Sequence, residues 1–218
     1  MFRLANETLM NGKLKDESDL LAPRDRTDRR VRADAQRNLD TLLETAKAVF
    51  ATSGVDAPVR EIAEKAGVGI GTVYRHFPQR ADLIAAVFRH EIDACAEAAS
   101  ILAAKYRPGD ALAKWMQRYA VFIATKRGLA PALHSGDPAF GNLRAHFEQR
   151  VGTALHELLE SAVAAGEVRN DIDSDELLHA VASLCMPAQD DGRAQRMVAL
   201  LVDGLRRPPQ DVRLTGDA

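Results

Sequence analysis

Apolar residues recur at three- and four-residue intervals along most of the chain, the period of helices that bury one face. Leu39, Leu42, Leu43, Ala46, Val49 and Phe50 form one such stripe and predict a helix over 34–53, stopped at Ser53-Gly54. Asp56 and Pro58 stand where a capping acid and a first-turn proline restart a helix. Ile62, Ala63 and Ala66 give that helix an apolar face. Gly67 follows it, where only glycine enters the left-handed conformation without steric cost. Val68 is expected to be the buried plug of the turn, and Gly69 opens a second short helix with Ile70, Val73 and Phe77 on its inner face. Pro78 breaks it.

Further stripes predict helices over 80–105 (Leu83, Ile84, Val87, Phe88, Ile92) and 110–126 (Leu112, Trp115, Met116, Tyr119, Phe122, Ile123). A long helix over 139–165 is expected from Phe140, Leu143, Phe147, Val151, Leu155 and Leu158. A terminal hairpin pairs 173–187 with 193–206. No stretch alternates strictly enough to be a strand, so the expected fold is all-α. Residues 24–80 form a small module with a core of Leu43, Ala46, Phe50, Ile62, Ala63, Val68, Val73 and Phe77. Residues 81–207 form a larger helical bundle. Residues 1–23 read as a flexible leader and 208–218 as a disordered tail.

Composition narrows the function classes. With 218 residues, one or two domains can each bury a core. The longest apolar runs fall short of the roughly 18 residues of a membrane span, and no signal-peptide pattern opens the chain. Cys95 and Cys185 lie far apart on apolar faces, as inert core cysteines do, and suit a reducing cytoplasm. The net charge is −2, yet 24–80 holds eleven Lys/Arg against eight Asp/Glu, so the basic excess sits with the small module. The run Arg24–Arg37 reads either as a solvated helix start or as a basic arm following DNA.

Two short helices joined by a glycine turn form a helix-turn-helix, whose second helix enters the major groove of DNA. Its outer face carries Gly71, Thr72, Arg75 and His76, small or able to donate hydrogen bonds. Taken with its flanks, ETAKAVFATSG (44–54), VREIAEKAGVGIGTVYRHF (59–77) and PQRADLIAAVF (78–88), it resembles the TetR family of bacterial transcriptional regulators. The resemblance implies that Ile70, Gly71, Thr72 and Tyr74 face bases and phosphates, that His76 contacts the backbone, and that Arg80 replaces a phosphate-holding lysine. Two departures stand out. Ala57-Pro58 occupy a place often held by Thr or Ser, and Gly69 stands where Ser often caps the recognition helix. The resemblance, with the donors of Arg60 and Arg75 added, makes Arg60, Gly69, Ile70, Gly71, Thr72, Tyr74, Arg75, His76 and Arg80 the expected DNA-binding residues.

The resemblance further implies a small-molecule effector bound in the bundle and a homodimer reading a palindromic operator on double-stranded DNA. Trp115, Met116, Tyr119, Phe122, His134, Phe140 and Phe147 are candidate pocket residues, each open to a core role as well. His134, His146, Arg144 and Asp137 are candidate polar anchors. Leu177, Val181, Leu184, Val198, Leu201 and Leu205 are the expected dimer interface. An enzyme is not expected: His156-Glu157-Leu158-Leu159-Glu160 lacks the second histidine of a zinc-protease motif, and Gly67–Gly71 follows no strand. No cofactor, metal or membrane partner is expected. Ligand-released repression is the leading expectation; activation, or a helical adaptor that binds no DNA, are the alternatives.

Overall fold

A computed structural model describes residues 22–127, 135–185 and 191–206. Among these, the regular elements are helical: α1 Ala22–Ser53, α2 Val59–Ala66, α3 Ile70–His76, α4 Arg80–Lys105 and α5 Pro108–Arg127. A 3-10 turn at Pro138–Phe140 precedes α6 Leu143–Phe147, a π-helical turn Glu148–Gly152 and α7 Thr153–Ala164. Then come α8 Ser174–Cys185 and α9 Asp191–Leu205. An isolated bridge joins Val168 to Arg206. The leader through 21 and the tail from 207 lie outside the described residues.

The first helix starts at Ala22 and not near 34, and so takes in Pro23 and the basic run. Periodicity misses this extension because it lacks an apolar stripe, whereas its alanines and arginines favour helix on propensity alone. The chain divides into two compact units at Asp40–Thr41, inside α1. In the first unit Gln36 Nε2 donates to Asp40 Oδ1 at 2.9 Å, and Arg37 pairs with Asp34, both within one turn of helix.

The second unit begins with the remainder of α1. Leu42, Leu43, Ala46, Val49 and Phe50 are buried there, with Ala57, Val59, Ile62, Ala63 and Val73. Gly67 ends α2 at φ +69°, and the Val68 N–H donates to the Ala63 carbonyl at 3.0 Å. Four expectations need correction. Val68 and Phe77 are half-buried, and Ile70 is 43% exposed. Side chains lean toward the N-terminus of their helix, so the first residue of a seven-residue helix leans off its end. Nor is Asp56 the cap of α2: Pro58 occupies that position, and its carbonyl accepts from Glu61 N–H at 3.0 Å.

Helix α5 is the axis of the bundle, packing against α4, α7, α8 and α9. Neighbours on several sides explain why Ala111, Leu112, Trp115, Met116, Tyr119, Ala120, Phe122 and Ile123 are all buried. The Trp115 indole N–H donates to the Cys95 carbonyl of α4 at 2.9 Å, which satisfies the only polar atom of a fully buried ring. Both cysteines are buried, and burial pushes the Cys95 thiol up to about 12. At the start of α5, Glu167 accepts from Gly109 N–H at 2.8 Å and from Arg107 Nη2 at 2.7 Å. Those two hydrogen bonds hold its carboxyl below the usual range.

Candidate nucleic-acid interface and effector cleft

Helices α2 and α3 pack on each other, and the turn between them is set by Gly67 and Gly69. The cap of α3 is Gly69, which has no side chain to offer; its carbonyl accepts from Thr72 N–H at 2.8 Å. With Val73 facing inward, the opposite side of α3 is left to solvent. Gly71, Tyr74, Arg75 and His76 are exposed, Tyr74 by 49%, and Thr72 is half-buried. A Cβ added at Gly71 would meet nothing within 4 Å, so the chain's own packing does not require glycine there. Arg60 lies on exposed α2, its Nε 3.1 Å from Glu64 Oε1. A solvent-exposed pair of this kind is weak and easily exchanged for a phosphate.

Arg80 makes contacts within the chain that the sequence does not announce. Its Nη1 donates to the Val55 carbonyl at 2.6 Å and to the Ala57 carbonyl at 2.7 Å. This guanidinium stitches the first residue of α4 to the loop between α1 and α2. Both bonds come from one nitrogen, whose two N–H groups reach the two carbonyls. Nearby, Gln79 and Asp82 close a capping box on α4, with Gln79 N–H donating to Asp82 Oδ2 at 2.9 Å. Farther along α4, Lys47 Nζ of α1 lies 2.7 Å from the buried Glu91 Oε1, an ionic contact without hydrogen-bond alignment. His90 Nε2 lies 3.2 Å from Glu44. Helix α4 is thus tied to the α1–α2 loop through Arg80 and to α1 through Glu91 and His90.

The candidate pocket residues separate into two groups. Trp115, Met116 and Phe122 are buried core, and Phe140 is half-buried as the last residue of the 3-10 turn. Tyr119 and Phe147 do line a cleft, of about 870 Å³, between α5, the α6–α7 helix and α8. His134 lies outside the described residues. Of the candidate anchors, His146 is taken by Asp93 at 2.9 Å, and Arg150 Nε donates to the same oxygen at 2.9 Å. Asp137 caps the 3-10 turn by accepting from Ala139 N–H at 2.9 Å. Arg144 reaches the cleft, paired with Glu148 at 2.8 Å.

Sequence reasoning missed the residues that shape this cleft: Ile123, Lys126, Thr153, His156, Leu178 and His179. The available signal was the glycine at 152 inside a helical pattern. There the π-helical turn inserts an extra residue, so Phe147 and Glu148 share a side with Thr153 and His156. An aromatic chain leads from the cleft to α4. The Phe147 and Phe122 rings are 6.0 Å apart, Tyr119 and Phe122 6.1 Å, and Phe122 and Phe88 5.6 Å.

The expected dimer face also needs revision. Leu177, Val181, Val198 and Leu205 are buried within the single chain, where they face α5 and each other, so they have no area left to lose. Leu184 and Leu201 remain half-exposed. The outward row of α9 is Met197, Leu200, Leu201 and Gly204, at i, i+3, i+4 and i+7, with Leu200 63% exposed. Ala180 of α8 lines the groove beside it.

The chain is similar to a TetR transcriptional regulator from Streptomyces coelicolor, 36% identical over 77% of this chain and 97% of that one, with a TM-score of 0.68. It belongs to the TetR family of transcriptional regulators. The family model described as "Bacterial regulatory proteins, tetR family" matches residues 42–87, the helix-turn-helix and its flanks. "Transcriptional regulator SbtR-like, C-terminal domain" matches 107–207, the bundle from α5 onward. A TetR regulator from Mycobacterium vanbaalenii is also 36% identical, over 81% of this chain and 99% of that one, with a TM-score of 0.66. A curated HTH-type transcriptional regulator of Staphylococcus aureus strain USA300 is 36% identical over 64 residues, 29% of this chain. That match spans only 35% of the relative's length. Among the described residues, no helix of this TetR-family chain is long and apolar enough to cross a membrane.

Proposed function

We propose that this TetR-family regulator is a cytoplasmic homodimeric repressor that binds a palindromic operator and is released by a small-molecule effector in the 870 Å³ cleft. Residues 24–80 are its reading head and 81–207 its regulatory body. Arg60, Thr72, Tyr74, Arg75 and His76 supply the DNA contacts, with the α3 backbone brought close at Gly69, Ile70 and Gly71. Arg80 acts by holding the α1–α2 loop in place. The second copy docks on the outward row of Leu184, Met197, Leu200, Leu201 and Gly204, where the small Gly204 permits close helix approach. Twofold symmetry then places two recognition helices in successive major grooves.

One observation carries the regulatory part of this reading: the aromatic chain from Phe147 and Tyr119 through Phe122 ends on Phe88 of α4. The same α4 begins at Arg80, hydrogen-bonded to the loop that precedes α2. An effector that binds the two arrangements of α4 unequally changes the spacing of the recognition helices and lowers operator affinity. The DNA assignment is tested by selecting an operator from a genomic fragment library and titrating it with wild type and Tyr74→Ala. Tyr74→Ala weakens binding about ten-fold while leaving folding intact, as loss of one or two backbone and base contacts does. Arg75→Ala flattens the salt dependence by about one ion. Undiminished affinity in both variants refutes the assignment of α3 as the reading helix.

A further inference from the structure

We propose that the cleft takes an amphipathic monocarboxylate whose head group is held by Lys126 and whose tail lies on Tyr119, Ile123, Phe147 and Leu178. This names the chemistry of the effector and rests on the cleft being the effector site.

The charges around the cleft are unequal in their commitments. Arg144 is occupied by Glu148 at 2.8 Å. His156 Nε2 lies 3.3 Å from Glu160 Oε1, and His179 Nδ1 lies 2.7 Å from the Asp175 carbonyl oxygen. Asp175 is exposed and sits in the first turn of α8, where the helix dipole favours a carboxylate. Lys126 is half-buried near the end of α5, and among the described residues no carboxylate pairs with it. Its Nζ instead lies 5.9 Å from the centre of the Phe88 ring. Burial holds this ammonium below the usual lysine range, the mark of a cation short of compensation.

Thr153 and Ser174 add neutral polar groups to the wall, and its apolar part is made by Tyr119, Ile123, Phe147, Leu178 and Ala182. Tyr119, Leu178 and Ile123 are buried by their neighbours and show only an edge to the cleft, and Phe147 is half-buried. Burial also raises the Tyr119 phenol, so it stays a neutral hydrogen-bond donor. The π-helical turn presents Phe147 and Thr153 on the same side, giving the tail a longer wall than a regular helix offers. At about 870 Å³ the cleft falls within the range of drug-sized ligand sites. A neutral ligand would cover Lys126 without pairing it, and a cation would add repulsion to an ammonium already short of solvent. Among the described residues, a cation with no carboxylate partner beside Tyr119, Ile123, Phe147 and Leu178 favours one negative charge on an apolar body.

Three probes of equal chain length decide the matter: octanoate, octanol and octylamine, each titrated into the full-length protein by calorimetry without DNA. Octanoate binds at least about ten-fold more tightly than either of the others, as a single charge-assisted contact provides. Lys126→Met removes that preference and Lys126→Arg keeps it. Equal binding of the three, preference for octanol or octylamine, no heat from any of them, or a preference that survives Lys126→Met overturns the proposal. The wild-type series is decisive even if Lys126→Met fails to fold. Operator affinity with and without octanoate is measured separately. Tight, Lys126-dependent octanoate binding that leaves operator affinity unmoved refutes release by the cleft while the ligand chemistry stands.

Discussion

Arg80→Ala tests whether the basic residue at the start of α4 serves the protein or the DNA. Its Nη1 donates at 2.6 and 2.7 Å to the carbonyls of Val55 and Ala57. A hydrogen bond from a charged donor contributes about 1.5–3 kcal/mol net. One nitrogen serves both acceptors, so their sum is less than double, about 2–4 kcal/mol. Arg80 is half-buried, and water replaces part of what is lost, which favours the lower end, about 2 kcal/mol. For a chain of this size that corresponds to a fall in Tm of about 4–8 °C. Circular dichroism melting reads the fall, and amide hydrogen exchange shows it concentrated in residues 54–62. Arg80→Lys recovers part of the loss, because an ammonium reaches one carbonyl more readily than two. Tyr74→Ala is the control, since an exposed ring on α3 supports no packing and leaves Tm within about 1 °C. If Arg80→Ala melts and exchanges like wild type yet loses operator binding, the stitch is irrelevant and the side chain serves a phosphate.

Other consequences are equally open to measurement. Glu167→Gln removes a carboxylate whose folded pKa is lowered, so its contribution is fully present above the unfolded value near 4.3 and fades as pH falls through the lowered folded value. The variant is therefore less stable than wild type at pH 7 and converges with it in acid, as paired urea titrations across pH 2–7 show. With its thiol pushed up to about 12 and its side chain buried, Cys95 stays unreactive toward a thiol-specific disulfide reagent at pH 8 until denaturant is added. Rapid modification of the native protein would contradict its place in the core. Leu200→Glu with Leu201→Glu places charge on the outward row of α9, shifting sedimentation from dimer to monomer with helicity retained; an unaltered dimer moves the interface elsewhere.

Much of this protein is written locally. Helix positions follow from apolar spacing because each buried face repeats within one element, and the stops at Gly54, Gly67, Pro78 and Gly166 act on their own backbone. The helix-turn-helix is legible for the same reason: its turn and its two faces span fewer than two dozen neighbouring residues. Local pattern fails where one face meets several partners or none. The start of α1 carries no apolar stripe in its sequence, so periodicity is silent there. Trp115, Met116 and Phe122 are core because α5 is enclosed by four helices.

Only the tertiary structure decides what a polar or apolar side chain meets across the chain. Arg80 finds carbonyls more than twenty residues away, and His146 is claimed by Asp93 of α4 and not by the cleft. The cleft assembles Lys126, Phe147, His156 and Leu178 from separate helices, with a π-helical turn rephasing one of them. Leu177 and Leu200 have similar side chains on paired helices, yet one is sealed against the bundle and the other faces solvent. Sequence spacing sets which residues share a face of a helix. Packing alone determines which face is covered, and that choice separates core, cleft and docking surface.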